Sequence, residues 1–324
     1  MLTKNTWVGG LAAASIFWLG ACGGRHESTE SFALVTTNTK IPYWTDAASG
    51  LSAAAKELGV RADVNGPESY DPKAEKEQFL QVMARKPAPA GILVSAADPE
   101  LMRDAIDSAV AAGIPVVTID ADSPKSKRLM FIGTNNYEAG EIGGGLLEKN
   151  LKGKGDVVVF TIPGQTNLEE RLEGYKRALA KDGGIKISRV IDMKGEPPVA
   201  FDATQAIVQK GGTLPDAFVC LEALACPEVA DVLQRSNVTG KTVIAMDAIP
   251  STLQWIQKGV IKATIAQRPF TMAYYGLRVL DDLHHNKATR GPGGQPTLPV
   301  FVDTGTILVD SSNVGTFLSA DPAK

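Results

Sequence analysis

The sequence predicts an α/β protein made of two doubly wound parallel-sheet domains. Ten short apolar runs, most of them rich in Val and Ile, alternate with segments of helical length through most of the 324 residues. Apolar runs of this length are typical of strands buried on both faces of a parallel sheet, and the segments between them fit crossover helices. Because ten strands exceed one ordinary sheet, they divide into two groups of about five.

The strand candidates are residues 32–36, 60–64, 91–94, 115–119, 129–132, 156–161, 185–191, 217–220, 242–246 and 262–266. Most are bounded by Gly, Pro or Asp, which mark turns. After the first candidate, apolar residues recur at helical spacing from Trp44 to Leu58, and Gly59 ends the predicted helix. Another predicted helix runs from about residue 269 to residue 285.

The amino terminus is predicted to be an export signal. Lys4 precedes an uncharged apolar stretch, residues 7–18, and small residues lead to Cys22. This ending resembles a bacterial lipobox, so we expect residues 1–21 to be removed and Cys22 to be lipidated. An ordinary secretory signal cleaved nearby is the alternative. In both cases we expect an exported protein, periplasmic or at the cell surface, in which residues 22–31 form a polar tether.

The remaining sequence has the composition of a soluble globular protein. Its 44% hydrophobic and 21% charged residues are ordinary values, and a net charge of −3 offers no basic surface for nucleic acid. No later apolar run approaches transmembrane length, so we expect membrane attachment only through the lipid. In an oxidising compartment, Cys220 and Cys226 are expected to form a disulfide, with two buried free thiols as the alternative.

The ends of the predicted strands carry polar residues. Ser95, Asp120, Asp247 and Gln267 each directly follow an apolar run. Ligands of open parallel sheets bind beyond the carboxyl ends of the strands, so together these side chains favour a polar small-molecule site. The alternative for any one of them is a cap on the following helix.

Two adjacent aromatic residues, Tyr43 and Trp44, follow Pro42 at the start of the first predicted helix. Trp44 belongs to the apolar stripe, and Tyr43 lies about 100° around the helix, so one ring is expected to pack while the other faces the cleft. The C–H faces of a sugar ring pack well on an aromatic ring, and its hydroxyls need carboxylate, Arg or amide partners. A sugar site is therefore predicted.

The sequence lacks the common enzyme signatures. It contains no G-x-x-x-x-G-K-[ST] phosphate loop, no G-x-S-x-G nucleophile motif and no H-E-x-x-H zinc motif. Its three histidines, His26 in the tether and His284 and His285 at a helix end, are expected on the surface rather than at a metal. We therefore predict no enzymatic activity, no cofactor and no metal.

Four stretches together resemble the ribose-binding-protein-like, type I periplasmic sugar-binding proteins of ABC importers. The stretches are residues 41–44, 113–120, 170–175 and 263–267, and the resemblance extends from about residue 32 to residue 308. It implies two domains joined by a hinge of three crossings. In this family the aromatic pair stacks on the sugar, the aspartates and arginine bind its hydroxyls, and the glutamine lies near a crossing. The matching positions are Tyr43, Trp44, Asp120, Arg171, Asp247 and Gln267.

The chain departs from the ribose binders at the ligand positions. Ala121 stands in place of the arginine that follows the first strand-end aspartate, and Ile41 and Ser95 stand in place of asparagines. Ribose itself is therefore not the expected ligand. Glu222, between the two cysteines, falls near a further asparagine position of the family and is a ligand candidate, with a plain surface acid as the alternative.

The resemblance implies a monomeric binding protein that captures a sugar, polyol or sugar derivative between its domains and delivers it to an ABC transporter permease. The expected N-terminal domain comprises residues 32–134 and 268–297, and the C-terminal domain residues 135–267 and 298–324. The alternative is a sensor that presents its closed form to a chemoreceptor or sensor kinase. A sugar-responsive repressor of the same fold needs an N-terminal helix-turn-helix, where this sequence has a leader and tether.

Overall fold

The strands form two separate six-stranded sheets in the computed structural model, which describes residues 26–27, 29–181, 183–285 and 298–319. The first sheet contains β1 (Ser31–Val35), β2 (Arg61–Asn65), β3 (Gly91–Val94), β4 (Val116–Ile119), β5 (Met130–Gly133) and β11 (Phe301–Asp303). The second contains β6 (Gly155–Thr161), β7 (Ile185–Asp192), β8 (Ala217–Cys220), β9 (Thr242–Met246), β10 (Ala263–Ala266) and β12 (Ile307–Asp310).

The strand orders are β11-β5-β4-β3-β1-β2 and β12-β10-β9-β8-β6-β7. Every described pairing is parallel except that of β10 with β12, which is antiparallel. The predicted α/β class with two doubly wound sheets is confirmed, and each of the ten predicted strands is present. The strands β11 and β12 were not predicted, because runs of three and four residues carry too little pattern.

Helices cover both faces of each sheet. The first domain carries α1 (Pro42–Leu58), α2 (Pro72–Met83), α3 (Pro99–Ala111) and α9 (Pro269–His285). The second carries α4 (Asn136–Leu151), α5 (Thr166–Leu179), α6 (Pro197–Gln209), α7 (Ala225–Arg235), α8 (Pro250–Gln257) and α10 (Val314–Ser319). Along β1, Phe32 and Leu34 pack toward α1 and α9, whereas Ala33 and Val35 pack toward α2 and α3. This alternation places one core on each face of the first sheet.

The chain passes between the two sheets three times. The crossings are residues 134–135, 267–268 and 304–306. Thr134 Oγ1 donates a hydrogen bond to Gln267 Oε1 at 2.8 Å, which joins the first two crossings. The backbone N–H of Thr304 donates to the carbonyl of Gly133 at 2.7 Å and ties the third crossing to the first. The hinge is thus one hydrogen-bonded unit.

The third crossing differs from the sequence-based boundary at residue 298. Residues 301–303 form β11 and pair in parallel with β5 of the first sheet. The last crossing therefore falls after Asp303, and only β12 and α10 belong to the second domain at this end of the chain. The earlier boundary failed because nothing in the local sequence distinguishes an added edge strand from the loop before it.

Helices α4 and α5 approach each other closely because both carry glycine at the contact. A Cβ on Gly140 would overlap the carbonyl oxygen of Arg171, and a Cβ on Gly174 would overlap the carbonyl oxygen of Tyr137. The two glycine α carbons therefore lie where side chains would keep the helices apart. This contact fixes the position of α5, the helix that carries Arg171.

No helix in the described parts of the chain is long and apolar enough to cross a membrane. The predicted leader, Cys22 and most of the tether lie outside the described residues.

We predict that Gly140→Ala destabilises the protein by about 1–3 kcal/mol, because the added methyl group meets backbone that cannot move aside. The matched control is Gly145→Ala in the same helix, where an added Cβ has no described neighbour within 4 Å. That substitution should stabilise the protein by up to about 1 kcal/mol through helix propensity. Urea unfolding of the two variants checks both signs, and equal effects would contradict the close-packing argument.

Candidate functional site

A cavity of about 80 Å³ lies between the two domains, beyond the carboxyl ends of the strands. Side chains from both sheets line it. Of the eight residues predicted from the sequence, seven lie in its wall: Tyr43, Trp44, Asp120, Arg171, Glu222, Asp247 and Gln267. The folding rule that the ends of parallel strands meet at one edge explains why residues so far apart in sequence come together here.

Asp120 follows β4 and is held by two hydroxyl donors. Tyr43 Oη donates to its Oδ1 at 2.7 Å, and Ser95 Oγ donates to its Oδ2 at 3.1 Å. Ser95, the eighth predicted residue, is buried behind Asp120 and is not part of the cavity wall. Its described role is to orient the carboxylate.

Asp247 occupies the equivalent place after β9 in the second domain. Gln267 Nε2 donates to its Oδ1 at 3.0 Å, and the same amide accepts from Thr134 at the hinge. Both aspartates have left-handed backbone, with φ of 61° for Asp120 and 67° for Asp247. This conformation is uncommon for residues other than glycine, although Asp tolerates it better than most. It turns each carboxylate from the end of its strand into the cleft.

Arg171 is the buried cation of the site, with 2% of its surface exposed. Its Nε donates to Asn136 Oδ1 at 2.9 Å, and its Nη1 donates to the carbonyl of Leu221 at 2.7 Å. Its Nη2 is buried and has no hydrogen-bond partner among the described residues. A buried donor left without an acceptor costs free energy, so this nitrogen is available for an acceptor on a ligand.

Glu222 lies in the cavity wall and is therefore not a plain surface acid. Its two carboxylate oxygens accept hydrogen bonds from the backbone N–H groups of Leu224 and Ala225, each at 2.7 Å. These bonds satisfy free donors at the start of α7. The predicted Cys220–Cys226 disulfide is present and encloses this loop. Glu222 thus caps a helix and faces the cleft at the same time.

Burial raises the pKa values of all three carboxyl groups. The pKa of Asp120 lies above its usual value, that of Asp247 rises to about 6 and that of Glu222 to about 7, with loss of water as the main cause in each case. The charge of Arg171 opposes the shift at both aspartates, and the backbone donors oppose it at Glu222. The group therefore holds protons more tightly than exposed carboxyls do.

The two aromatic side chains form one edge of the cavity. The rings of Tyr43 and Trp44 meet edge to face, with centroids 5.1 Å apart and planes at 86°. Both line the cleft, although the helical geometry predicted that only one ring would. Burial, and next the charge of Asp120, raise the pKa of Tyr43 well above 10, so its hydroxyl remains a proton donor.

Sequence reasoning missed the residues that loops bring to the rim. Tyr70, in the loop after β2, packs against Gly195 of the other domain, where a Cβ would lie 2.6 Å from the Tyr70 Cβ and Cγ. Tyr70 also hydrogen-bonds to the side chain of Gln165, and Thr166 Oγ1 donates to the carbonyl of Asp122 at 3.1 Å across the cleft. No periodic pattern marks such positions, so only the folded chain reveals them.

We predict that the ligand-free protein loses stability relative to Asp247→Asn as the pH rises from 4 to 7. A folded pKa of about 6 exceeds the usual unfolded value near 3.9, so the folded state binds the proton more tightly. This contribution is present below about pH 4 and disappears as the pH rises through 6, with a magnitude of up to about 3 kcal/mol. Unfolding free energies of both proteins across this range provide the measurement.

The matched control is Asp310→Asn. Hydrogen bonds from Ser312 lower the pKa of Asp310, so its contribution is kept above about pH 4 and should not fall over the same range. A wild-type to Asp247→Asn difference that stays flat with pH would show that Asp247 is ionised throughout.

The chain was compared with known proteins and structures. Residues 32–288 match the family described as Periplasmic binding protein domain. The ribose import binding protein RbsB of Bacillus subtilis is 24% identical over 296 residues, which cover 84% of this chain and 91% of that protein.

Solved structures agree in fold. The arabinose-binding protein AraP of Geobacillus stearothermophilus is 32% identical, with a TM-score of 0.75 over 89% of this chain and 99% of that one. An ABC transporter solute-binding protein from Burkholderia graminis, solved with D-arabinose, is 28% identical, with a TM-score of 0.81 over 89% and 98%. With the family match spanning most of the sequence and the fold matching over nearly the whole of these chains, the chain belongs to the periplasmic binding protein family.

Proposed function

We propose that this protein captures one sugar, polyol or sugar derivative in the cleft between its domains and delivers it to the permease of an ABC transporter. The observation that carries the proposal is the pairing, in one cavity, of two strand-end carboxylates with a buried arginine that has an unpartnered N–H. Specificity for a polyhydroxyl ligand follows from this combination of acceptors and donors.

A sugar hydroxyl can both donate and accept a hydrogen bond. Asp120 and Asp247 supply acceptors from opposite domains, and Arg171 supplies a donor between them. Hydrogen bonds to charged groups contribute about 1.5–3 kcal/mol each, and the aromatic edge offers an apolar surface to the C–H face of a sugar ring. Because the partners come from both domains, a ligand that bridges them favours the closed arrangement of the hinge.

The relatives support a sugar as the ligand class, since those reported above are named for ribose or arabinose or hold D-arabinose. Ala121, Ile41 and Ser95 remove an arginine and two asparagines of the ribose binders, which favours a ligand other than ribose. The proposed activity is binding without turnover, in keeping with relatives that are binding proteins.

We predict that a thermal-shift screen of pentoses, hexoses, polyols and amino sugars finds a ligand that raises the melting temperature, because binding to the folded state stabilises it. Calorimetry should then show that Asp120→Ala and Asp247→Ala each weaken this ligand by at least about tenfold. The control is Asp202→Ala, at an exposed position away from the cavity. A folded Asp247→Ala variant with wild-type affinity would remove Asp247 from the binding site.

We also predict that the mature protein begins at a lipidated Cys22 and fractionates with membranes, because small residues lead to this cysteine as in a lipobox. Mass spectrometry of the amino-terminal peptide detects the lipid directly. Cys22→Ser is the control and should move the protein to the soluble fraction. An unmodified amino terminus at another residue would leave an ordinary secretory signal as the explanation.

A further inference from the structure

Four potential metal-binding side chains meet where the tether contacts the end of α9. Their ligand atoms all lie within 4.8 Å of one another, and we call this group the tether cluster: His26, Glu30, Asp281 and His285. The first two flank the start of β1, and the last two lie one helical turn apart at the end of α9. The histidines were expected on the surface, yet the fold brings residues 259 positions apart into contact.

The ring nitrogens and carboxylates converge on one point. His26 Nδ1 lies 3.1 Å from His285 Nε2, and Asp281 Oδ1 lies 3.4 Å and 3.5 Å from these two nitrogens. The Glu30 oxygens lie 2.7 Å from His285 Nε2 and 3.6 Å from His26 Nδ1. In a tetrahedral zinc site with bonds near 2.0–2.1 Å, neighbouring ligand atoms are about 3.3 Å apart. The observed separations scatter around that value.

Hydrogen bonding alone leaves this arrangement unsatisfied. If both imidazoles carried a proton on the facing nitrogens, two N–H groups would point at each other across 3.1 Å. If only one does, a single proton serves four ligand atoms. Asp281 Oδ1 is buried and accepts no hydrogen bond from any described residue. A cation at the centre would use the lone pairs of all four groups.

We propose that the tether cluster binds one divalent transition-metal ion of the zinc class. Two imidazole nitrogens favour such an ion over Ca²⁺ or Mg²⁺, which prefer oxygen ligands. The charges also match, since two carboxylates balance a divalent cation when both imidazoles are neutral. A neighbouring cavity lined by Glu30, His284 and His285 gives the ion a route from solvent.

The site acts on the tether and not on the cleft. α9 begins beside the hinge at Pro269 and ends at His285, and its 17 residues separate the two places by about 25 Å. The bound ion fastens the segment that follows Cys22 to the first domain, on the edge of the sheet opposite the cavity. The protein's orientation relative to its membrane anchor is then fixed by the metal.

The test uses the full mature chain without a histidine tag, stripped with a chelator and dialysed against micromolar zinc. Elemental analysis should find about one zinc ion per chain. His285→Ala and His26→Ala should each weaken binding by at least about tenfold, because a ligand is lost. His284→Ala is the matched control, an exposed neighbour in the same helix outside the tether cluster, and should bind zinc like wild type.

Two further measurements keep the test decisive. Asp281→Asn preserves side-chain volume if an alanine variant fails to fold, and circular dichroism of each metal-free variant reports its fold. Cobalt substitution should give visible absorption bands of tetrahedral type in wild type and His284→Ala but not in Asp281→Asn. Absence of zinc in the wild type, or equal zinc content in wild type, His285→Ala and Asp281→Asn, would overturn the proposal and leave the tether cluster as a set of ion pairs.

Discussion

The buried guanidinium of Arg171 organises the cleft. A charge removed from water is costly unless it is paired and hydrogen-bonded, and this one has a side-chain amide, a backbone carbonyl and two nearby aspartates around it. Its position depends in turn on the glycine contact between α4 and α5, because that contact sets how far α5 reaches toward the hinge. A polar site in the middle of the molecule therefore depends on the absence of two side chains in a helix interface.

The carboxyl groups respond to the same burial in the opposite sense. Attraction to Arg171 lowers the pKa values of Asp120 and Asp247, but loss of water raises them by more. Without ligand, these groups are therefore held in an environment that disfavours their charge. Hydroxyl donors from a ligand would replace part of the lost hydration, so the cleft is better suited to a polyhydroxyl molecule than to an apolar one.

The sequence was informative wherever local pattern and topology act together. Apolar runs located the ten strands, and the rule that parallel strands end at one edge grouped Asp120, Asp247 and Gln267 before any coordinates were considered. The family resemblance added Arg171, which lies within a helix and has no such signal. Long-range and loop-mediated contacts were beyond this reasoning: β11 is too short for a pattern, and the pairing of His26 with His285 depends on packing between opposite ends of the chain.

The contact of Tyr70 with Gly195 has a consequence for how such a cleft is tuned. The two rims meet where one partner is only an α carbon, so a single methyl group there would change the fraction of molecules whose domains are together. Apparent affinity scales with that fraction, even when every bond to the ligand is unchanged. Strength of retention and choice of ligand are thus set by different residues, and the protein can release a tightly recognised molecule more readily through a change at its rim.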